Sequence, residues 1–216
     1  MDREDTVEFF CYGPGSEAEV VIEMIGKAPI SATPAILHDF QLGVQGLGDI
    51  PDKLMPVPGH PGKMLPKTAR GIMADSWPPD FETYVAFESP GSKIRGTVFK
   101  IRKADLPPIE DWELIDFGWY SVVKGIATLE NGEEHEILTM AIKDQSIRRE
   151  VDGMDYDNWL GKGDEFRREF LKHVRENYRR FAERNASGHG LENVTSITFP
   201  DTGEAEEQKG KKSRSL

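Results

Sequence analysis

The stretch FFCYGPGSEAEV, residues 9–20, decides how the rest of the chain is interpreted. An apolar run predicts a strand that ends at Tyr12, where a Gly-Pro-Gly turn stops it. Ser16 and Glu19 then stand in the S-x-x-E spacing of a capping box, which predicts a helix from Ser16 to about Ile25. A strand end, a glycine turn and a helix start therefore meet early in the chain.

A glycine turn between a strand and a helix can bind a small anion such as a carboxylate. The helix start presents unpaired N–H groups and the positive end of the helix dipole, and glycines let a ligand approach the backbone. The alternative is a plain tight turn followed by a capping box, and an isolated glycine motif favours it. Pro14 lacks an N–H, and Glu17 and Glu19 add negative charge, so these residues alone do not indicate anion binding.

Composition narrows the class of protein. The 216 residues are 38% hydrophobic and 30% charged, with a net charge of −11, which predicts a globular domain and disfavours a nucleic-acid partner. The single cysteine, Cys11, excludes an internal disulfide. No apolar run approaches the ~20 residues of a membrane span, and the acidic N-terminus is unlike a signal peptide. We expect a soluble cytoplasmic protein with one domain over 7–199, a flexible N-terminus over 1–6 and a disordered charged tail over 200–216.

The rest of the chain is dominated by strands. The predicted elements are strands at 35–42, 83–87 and 94–101, a turn at 89–92, a short helix at 106–113, a hairpin with a type I′ turn at Asn131-Gly132, a long helix at 164–184 with an aromatic stripe, and loops at 43–70 and 144–163. Regular helices do not separate the strands, which argues against a doubly wound parallel sheet. The sequence predicts an α+β fold, a small mixed, mostly antiparallel β-barrel with flanking helices.

A second candidate for chemistry is IEDWELIDFGWY, residues 109–120, in which four carboxylates stand beside four aromatic rings. A carboxylate held among rings is desolvated, and desolvation raises its pKa toward the range useful for proton transfer. The alternative is the polar face of a short helix, which is favoured for any one acid taken alone. The sequence leaves open which acid points inward; the candidates are Glu110, Asp111, Glu113 and Asp116.

Taken in order, short segments of the chain resemble the gamma-glutamylcyclotransferase family, including its AIG2-like relatives. These segments are Tyr12-Gly13 after the first strand, LHDFQL at 37–42, ESPG at 88–91, RGTVFKI at 95–101, ADLPPIEDWE at 104–113, GWY at 118–120 and the Asn131-Gly132 hairpin. Each segment is short, and their order is more specific than any one of them. The resemblance covers about residues 7–143 and implies the family's barrel fold.

The resemblance implies that a γ-glutamyl amide is cyclised to 5-oxoproline with release of a free amine. The residue that matches the family's general acid/base is Glu113, and Tyr120 matches a residue of the substrate pocket. The substrate-binding loop corresponds to Tyr12, Gly13, Pro14, Gly15 and Ser16. No metal or organic cofactor is implied, and the partner is a small γ-glutamyl substrate, with a homodimer left open.

Two alternatives remain at this point. Many relatives carry Ser-Asn or Thr-Leu where this chain has Pro14-Gly15, which favours a weak or inactive relative that binds a small carboxylate or a protein. A structural module that docks a partner through the 43–70 loop and the tail is the third interpretation.

The acids and histidine at 133–136 alternate across a strand, so we expect a solvated edge there rather than a metal site.

Overall fold

The structure is a computed structural model that describes residues 5–56, 61–74, 81–113, 120–143 and 146–186. The strands in these ranges are β1 (Thr6–Cys11), β2 (Ser31–Gly46), β3 (Leu54–Pro56), β4 (Met64–Thr68), β5 (Glu82–Arg102), β6 (Ser121–Leu129), β7 (Glu134–Ala141) and β8 (Arg149–Val151). The helices are α1 (Ala18–Ile25), α2 (Ala69–Ala74), α3 (Pro107–Trp112) and α4 (Asp164–Ala186). The predicted site residues 116–119 and the charged tail from residue 200 lie outside the described ranges.

Five strands close into a barrel in the order β5-β1-β7-β6-β2, and β2 pairs with β5 to complete the ring. The β1–β7 pair is parallel, with Phe9 opposite Leu138, and the other barrel pairs are antiparallel. Strand β8 adds to β2 outside the ring, and β3 and β4 form a separate hairpin. The predicted α+β architecture, a mixed and mostly antiparallel barrel with flanking helices, is confirmed.

The β2–β5 pair shows how this barrel closes. The two strands are 16 and 21 residues long and stay paired through an irregularity between His38 and Phe40. Asp39 takes a φ of 62°, and its Oδ1 accepts a hydrogen bond of 2.8 Å from the Gly91 N–H. Such a bulge bends a strand pair and increases its twist, which lets the sheet curl into a ring. The strands predicted at 83–87 and 94–101 are parts of the single strand β5, and the turn predicted at 89–92 coincides with the β5 residues that have no partner on β2, where Gly91 takes a φ of 83°.

Alternating side chains along β1 supply two cores. Phe10 packs with strand residues such as Leu37, whereas Phe9 packs with Val20 of α1 and Val174 of α4. Successive residues of a strand face opposite sides, so one core fills the barrel and the other lies between the barrel and its helices. The predicted long helix is confirmed as α4, and its aromatic stripe packs toward this second core.

Three local predictions are wrong. Helix α1 begins at Ala18 and not at Ser16, whose hydroxyl donates to the Gly13 carbonyl at 2.7 Å. The N-cap is Glu17, and its carboxylate accepts from Trp159 and Arg167 instead of capping the helix. The 43–70 segment is not one irregular loop: β2 runs to Gly46, and the β3–β4 hairpin and α2 follow. In the β6–β7 turn only Gly132 has a positive φ, 85°, whereas a type I′ turn needs two such residues.

Candidate active site

The glycine turn follows directly from β1. Residues Gly13–Ser16 form a single 3₁₀ turn that begins where Cys11 and Tyr12 leave the sheet. Gly13 has a φ of 56°, and a Cβ built on it would lie 3.0 Å from the ring of Tyr84. Glycine is required there, because a side chain would be strained by the backbone angle and would press on that ring.

The polar groups of this turn already have partners within the protein. The buried Gly13 N–H donates to the Tyr156 hydroxyl at 3.0 Å, and Pro14 has no N–H to offer. The amides of Gly15 and Ser16 follow the i→i+3 bonding of a 3₁₀ turn, and the Glu17 amide donates to the Pro14 carbonyl at 3.2 Å. The turn is therefore fixed by bonds within the protein, and residues 14–16 are its half-buried part, whereas Gly13 is buried.

Glu113 stands at the end of α3. Pro107 and Pro108 begin this helix, where their missing N–H groups are not needed. The next residue of the helix, Ile109, is buried. The Glu113 amide donates to the Ile109 carbonyl at 3.0 Å, and the chain then leaves helical geometry. The residue is half-buried, and removal of its carboxyl group from water raises the pKa of Glu113 to about 7.

The surroundings of Glu113 bring the two predicted segments together. Burial raises the pKa of the Cys11 thiol and of the Tyr12 and Tyr120 phenols, and the charge of Glu113 raises each of them further. A Cβ on Gly15 would lie 3.6 Å from the Cys11 Cβ, so the glycine turn borders the Cys11 side chain. Glu113 thus lies within electrostatic range of Cys11 and Tyr12, where β1 ends and the turn begins.

The two phenols are held in place by backbone groups. The Tyr12 hydroxyl donates to the Met140 carbonyl at 3.0 Å and accepts from the Ala86 N–H at 3.0 Å, and so it bridges β7 and β5. The Tyr120 hydroxyl points at the Tyr84 carbonyl, 3.5 Å away. Because the pKa values of both phenols are raised, Glu113 is the group of this cluster that exchanges a proton near neutral pH.

The other acids of the 109–120 segment are placed differently where the structure describes them. The Asp111 carboxylate accepts from Arg184 at 2.6 Å and from Asn177 at 3.3 Å, both on α4. Glu110 lies half-buried on α3, and Asp116 is outside the described residues. Burial without a cationic partner among the described residues distinguishes Glu113 from Asp111.

Tyr156 is the residue of this region that the sequence did not indicate. It lies in the segment predicted as a loop with several glycines and acids, and a single tyrosine there carries no spacing signal. Its contact with Gly13 spans 143 positions of sequence. In the described ranges, no group of His, Cys, Asp and Glu side chains is arranged to hold a metal ion, and no helix is long and apolar enough to cross a membrane.

No family model and no curated protein sequence matches this chain. Solved structures that resemble it include a gamma-glutamyl cyclotransferase, with a TM-score of 0.46, 16% identity and coverage of 93% of this chain and 95% of that one. An uncharacterized protein from Homo sapiens gives a TM-score of 0.47 at 16% identity, with the same coverage of both chains. A yeast gamma-glutamyl cyclotransferase specific to glutathione gives 0.34 at 11% identity, with 82% of this chain and 97% of that one covered.

Two of these neighbours carry the name of the family that the ordered motifs of this chain resemble. Their TM-scores lie below 0.5 and their identities below 20%, so the likeness carries no functional inference for this chain.

Proposed function

We propose that this protein cyclises a γ-glutamyl amide to 5-oxoproline and releases the free amine, with Glu113 as the general acid/base. The observation that carries the proposal is the desolvated carboxyl of Glu113, with a pKa of about 7, within electrostatic range of Tyr120 and of Tyr12, the residue before the glycine turn. A group that takes up a proton and returns it near neutral pH needs a pKa in this range, above the 4.5 of an ordinary glutamate. A cytoplasmic location and a homodimer stay predictions from the sequence.

The proposed reaction is an internal aminolysis that consumes no water. The α-amine nitrogen of the glutamyl group attacks its own γ-carbonyl carbon, which forms the ring C–N bond. The bond from that carbon to the leaving nitrogen then breaks. One proton leaves the attacking nitrogen and one arrives on the departing amine, so a single carboxyl group that accepts and then donates balances the reaction.

The physical demands on the protein are modest, because both reacting groups belong to one molecule. Holding them in the productive geometry is worth up to ~7–11 kcal/mol in well-arranged internal reactions. The enzyme then has to fold the glutamyl chain back on itself and keep the carboxyl of Glu113 within reach of its nitrogen. The rigid surroundings of Glu113 support this role, since both neighbouring tyrosines bond to backbone groups of the barrel.

We propose that the glutamyl group lies between residues 14–16, which are half-buried, and the Glu113 carboxyl. The support is their common neighbour Cys11: a Cβ built on Gly15 would lie 3.6 Å from the Cys11 Cβ, and the Glu113 charge acts on the Cys11 thiol. Fixed backbone dipoles near this position would stabilise the oxyanion that develops on the γ-carbonyl. The amine half would then extend outward, and its identity is left open.

The second candidate is a relative that binds a small carboxylate or a protein partner without turnover. The observation that favours it is the Gly13 N–H, which donates to Tyr156, together with the missing N–H of Pro14. Neither of the first two positions of the turn therefore has an N–H that is free to bind an anion.

Incubation with γ-glutamyl amino acids, γ-glutamylamines and glutathione, with 5-oxoproline detected by mass spectrometry, tests the proposal. We expect turnover by the wild type and a loss of at least about 100-fold in kcat in Glu113→Gln, the lower end of general acid–base contributions. Glu110→Gln is the matched control, because it removes the same charge from the same helix, and it should keep the wild-type rate. The rate should rise with pH through about 7 as Glu113 loses its proton.

Full activity in Glu113→Gln would refute the assignment of the acid/base. Thermal stabilisation of the wild type by 5-oxoproline or glutamate, with no product from any substrate, would instead support the binding-only candidate.

A further inference from the structure

We propose that Tyr156 is a positioning residue: its hydroxyl caps the Gly13 amide and holds the glycine turn in the geometry that faces Glu113. This inference rests on the proposed function and deepens it, because it assigns the rigidity of the substrate-binding turn to a residue far away in sequence. The residues around Tyr156, 149–160, are called the strap below.

The Tyr156 hydroxyl is fully oriented by two bonds. It accepts from the Gly13 N–H at 3.0 Å and donates to the Arg95 carbonyl of β5 at 2.8 Å. A phenol has one proton to donate, so the bond to β5 directs a lone pair of the oxygen toward Gly13. The Tyr156 hydroxyl thereby fixes the position of the Gly13 amide relative to strand β5.

The strap is itself fixed on β5, which makes Tyr156 a rigid support. The Arg95 guanidinium lies 5.6 Å from the centre of the Tyr156 ring and donates to the Tyr156 carbonyl at 3.1 Å. The Arg95 N–H donates to the Gly153 carbonyl at 2.7 Å. The Tyr84 ring meets the Tyr156 ring edge-on at 5.0 Å, and its hydroxyl donates to the Asp157 carbonyl at 2.7 Å.

The turn needs this support because it has few bonds of its own. Gly13 is buried, so its N–H would lack a partner without the phenol, and a buried donor left unpaired is costly. Pro14 gives the turn no second donor, and the remaining 3₁₀ bonds have poor geometry. Loss of the hydroxyl should therefore shift residues 14–16, the part of the turn proposed to contact the glutamyl group.

The test compares Tyr156→Phe with Tyr84→Phe in the full chain. Tyr156→Phe keeps the ring, with its contacts to Arg95 and Tyr84, and removes only the bonds to Gly13 and to the Arg95 carbonyl. Tyr84→Phe also removes one hydroxyl that is bonded to the strap, but that hydroxyl does not touch the turn. Both variants loosen the strap, and only the first uncaps the Gly13 amide.

Two measurements are made on each variant. We expect hydrogen exchange of the Gly13 amide, followed by NMR, to quicken about tenfold in Tyr156→Phe and to stay near the wild-type rate in Tyr84→Phe. With a γ-glutamyl substrate, KM should rise about fivefold or more in Tyr156→Phe, with kcat within about twofold and the pH profile unchanged, because the shuttle at Glu113 is intact.

Unchanged exchange of the Gly13 amide in Tyr156→Phe, or an equal rise in KM in Tyr84→Phe, would overturn the inference. If no substrate is turned over by the wild type, the proposed function has failed, and the exchange measurement still decides whether Tyr156 holds the turn.

Discussion

Replacing Glu113 with glutamine should change how the stability of the protein depends on pH, whatever reaction it catalyses. The carboxyl group is raised in pKa from the ordinary value of 4.5 to about 7 because it is desolvated in the folded chain. Between these two values the folded state keeps a proton that the unfolded state has already lost. Folding therefore becomes less favourable as the pH rises through this window.

The magnitude follows from the gap between the two values. About 2.5 pKa units, from 4.5 to about 7, correspond to about 3 kcal/mol of unfolding free energy. This contribution is fully present below about pH 4.5 and fully lost above about pH 7. Glutamine has a similar shape and cannot ionise, so the unfolding free energy of Glu113→Gln lacks this dependence on pH. The stability of the variant relative to the wild type should therefore rise by about 3 kcal/mol between pH 4 and pH 8.

Urea denaturation of both proteins at several pH values between 4 and 8 measures this difference. Other ionisable groups, such as His135, titrate in the same range. The pKa of His135 is raised mainly by its hydrogen bond to Glu8. Because these groups are present in both proteins, the difference between the two curves isolates Glu113. A difference that stays flat from pH 4 to pH 8 would show that the carboxyl is not desolvated in solution, and the proposed proton shuttle would lose its basis.

Two further predictions concern the elements that hold the site. Gly96→Ala should destabilise the protein by about 3 kcal/mol or more in urea denaturation, because its Cβ would lie 2.2 Å from the Cys11 carbonyl oxygen. Gly48→Ala is the control, since nothing lies within 4 Å of the added atom, and equal losses would refute the reasoning. Arg184→Ala should cost about 1 kcal/mol, seen as a lower Tm, because Asp111 loses the stronger of its two partners on α4; an unchanged Tm would contradict this.

The sequence predicted the parts of the fold that depend on local pattern. The end of β1, the end of α1 at Ile25, the short helix up to Glu113 and the long helix α4 were all indicated by periodicity and by turn residues. The nearness of Glu113 to Tyr12 followed from the ordered family motifs, since neither segment alone specifies a partner about a hundred positions away.

What the sequence missed depends on competition between distant groups. Ser16 stands in a capping-box spacing, but its hydroxyl bonds to the Gly13 carbonyl, because the turn before it is a tight 3₁₀ turn. Gly91 lies in the turn predicted at 89–92, and these residues have no partner on β2; β5 nevertheless continues, because the two strands pair on both sides of the irregularity. Tyr156 was missed because its partners are Gly13 and Arg95, and no local pattern reports such contacts.

The contrast between Glu113 and the other buried or half-buried acids supports a functional reason for its position. Several of the others form ion pairs with a cation elsewhere in the chain; examples are Lys27–Asp105, Arg167–Glu17, Arg175–Glu23 and Arg184–Asp111. Glu113 forms no such pair with a described residue, and its desolvation lowers stability at neutral pH instead of adding to it. Packing alone would be better served by an uncharged side chain, so a carboxyl retained there at the expense of about 3 kcal/mol is more consistent with proton transfer than with a structural role.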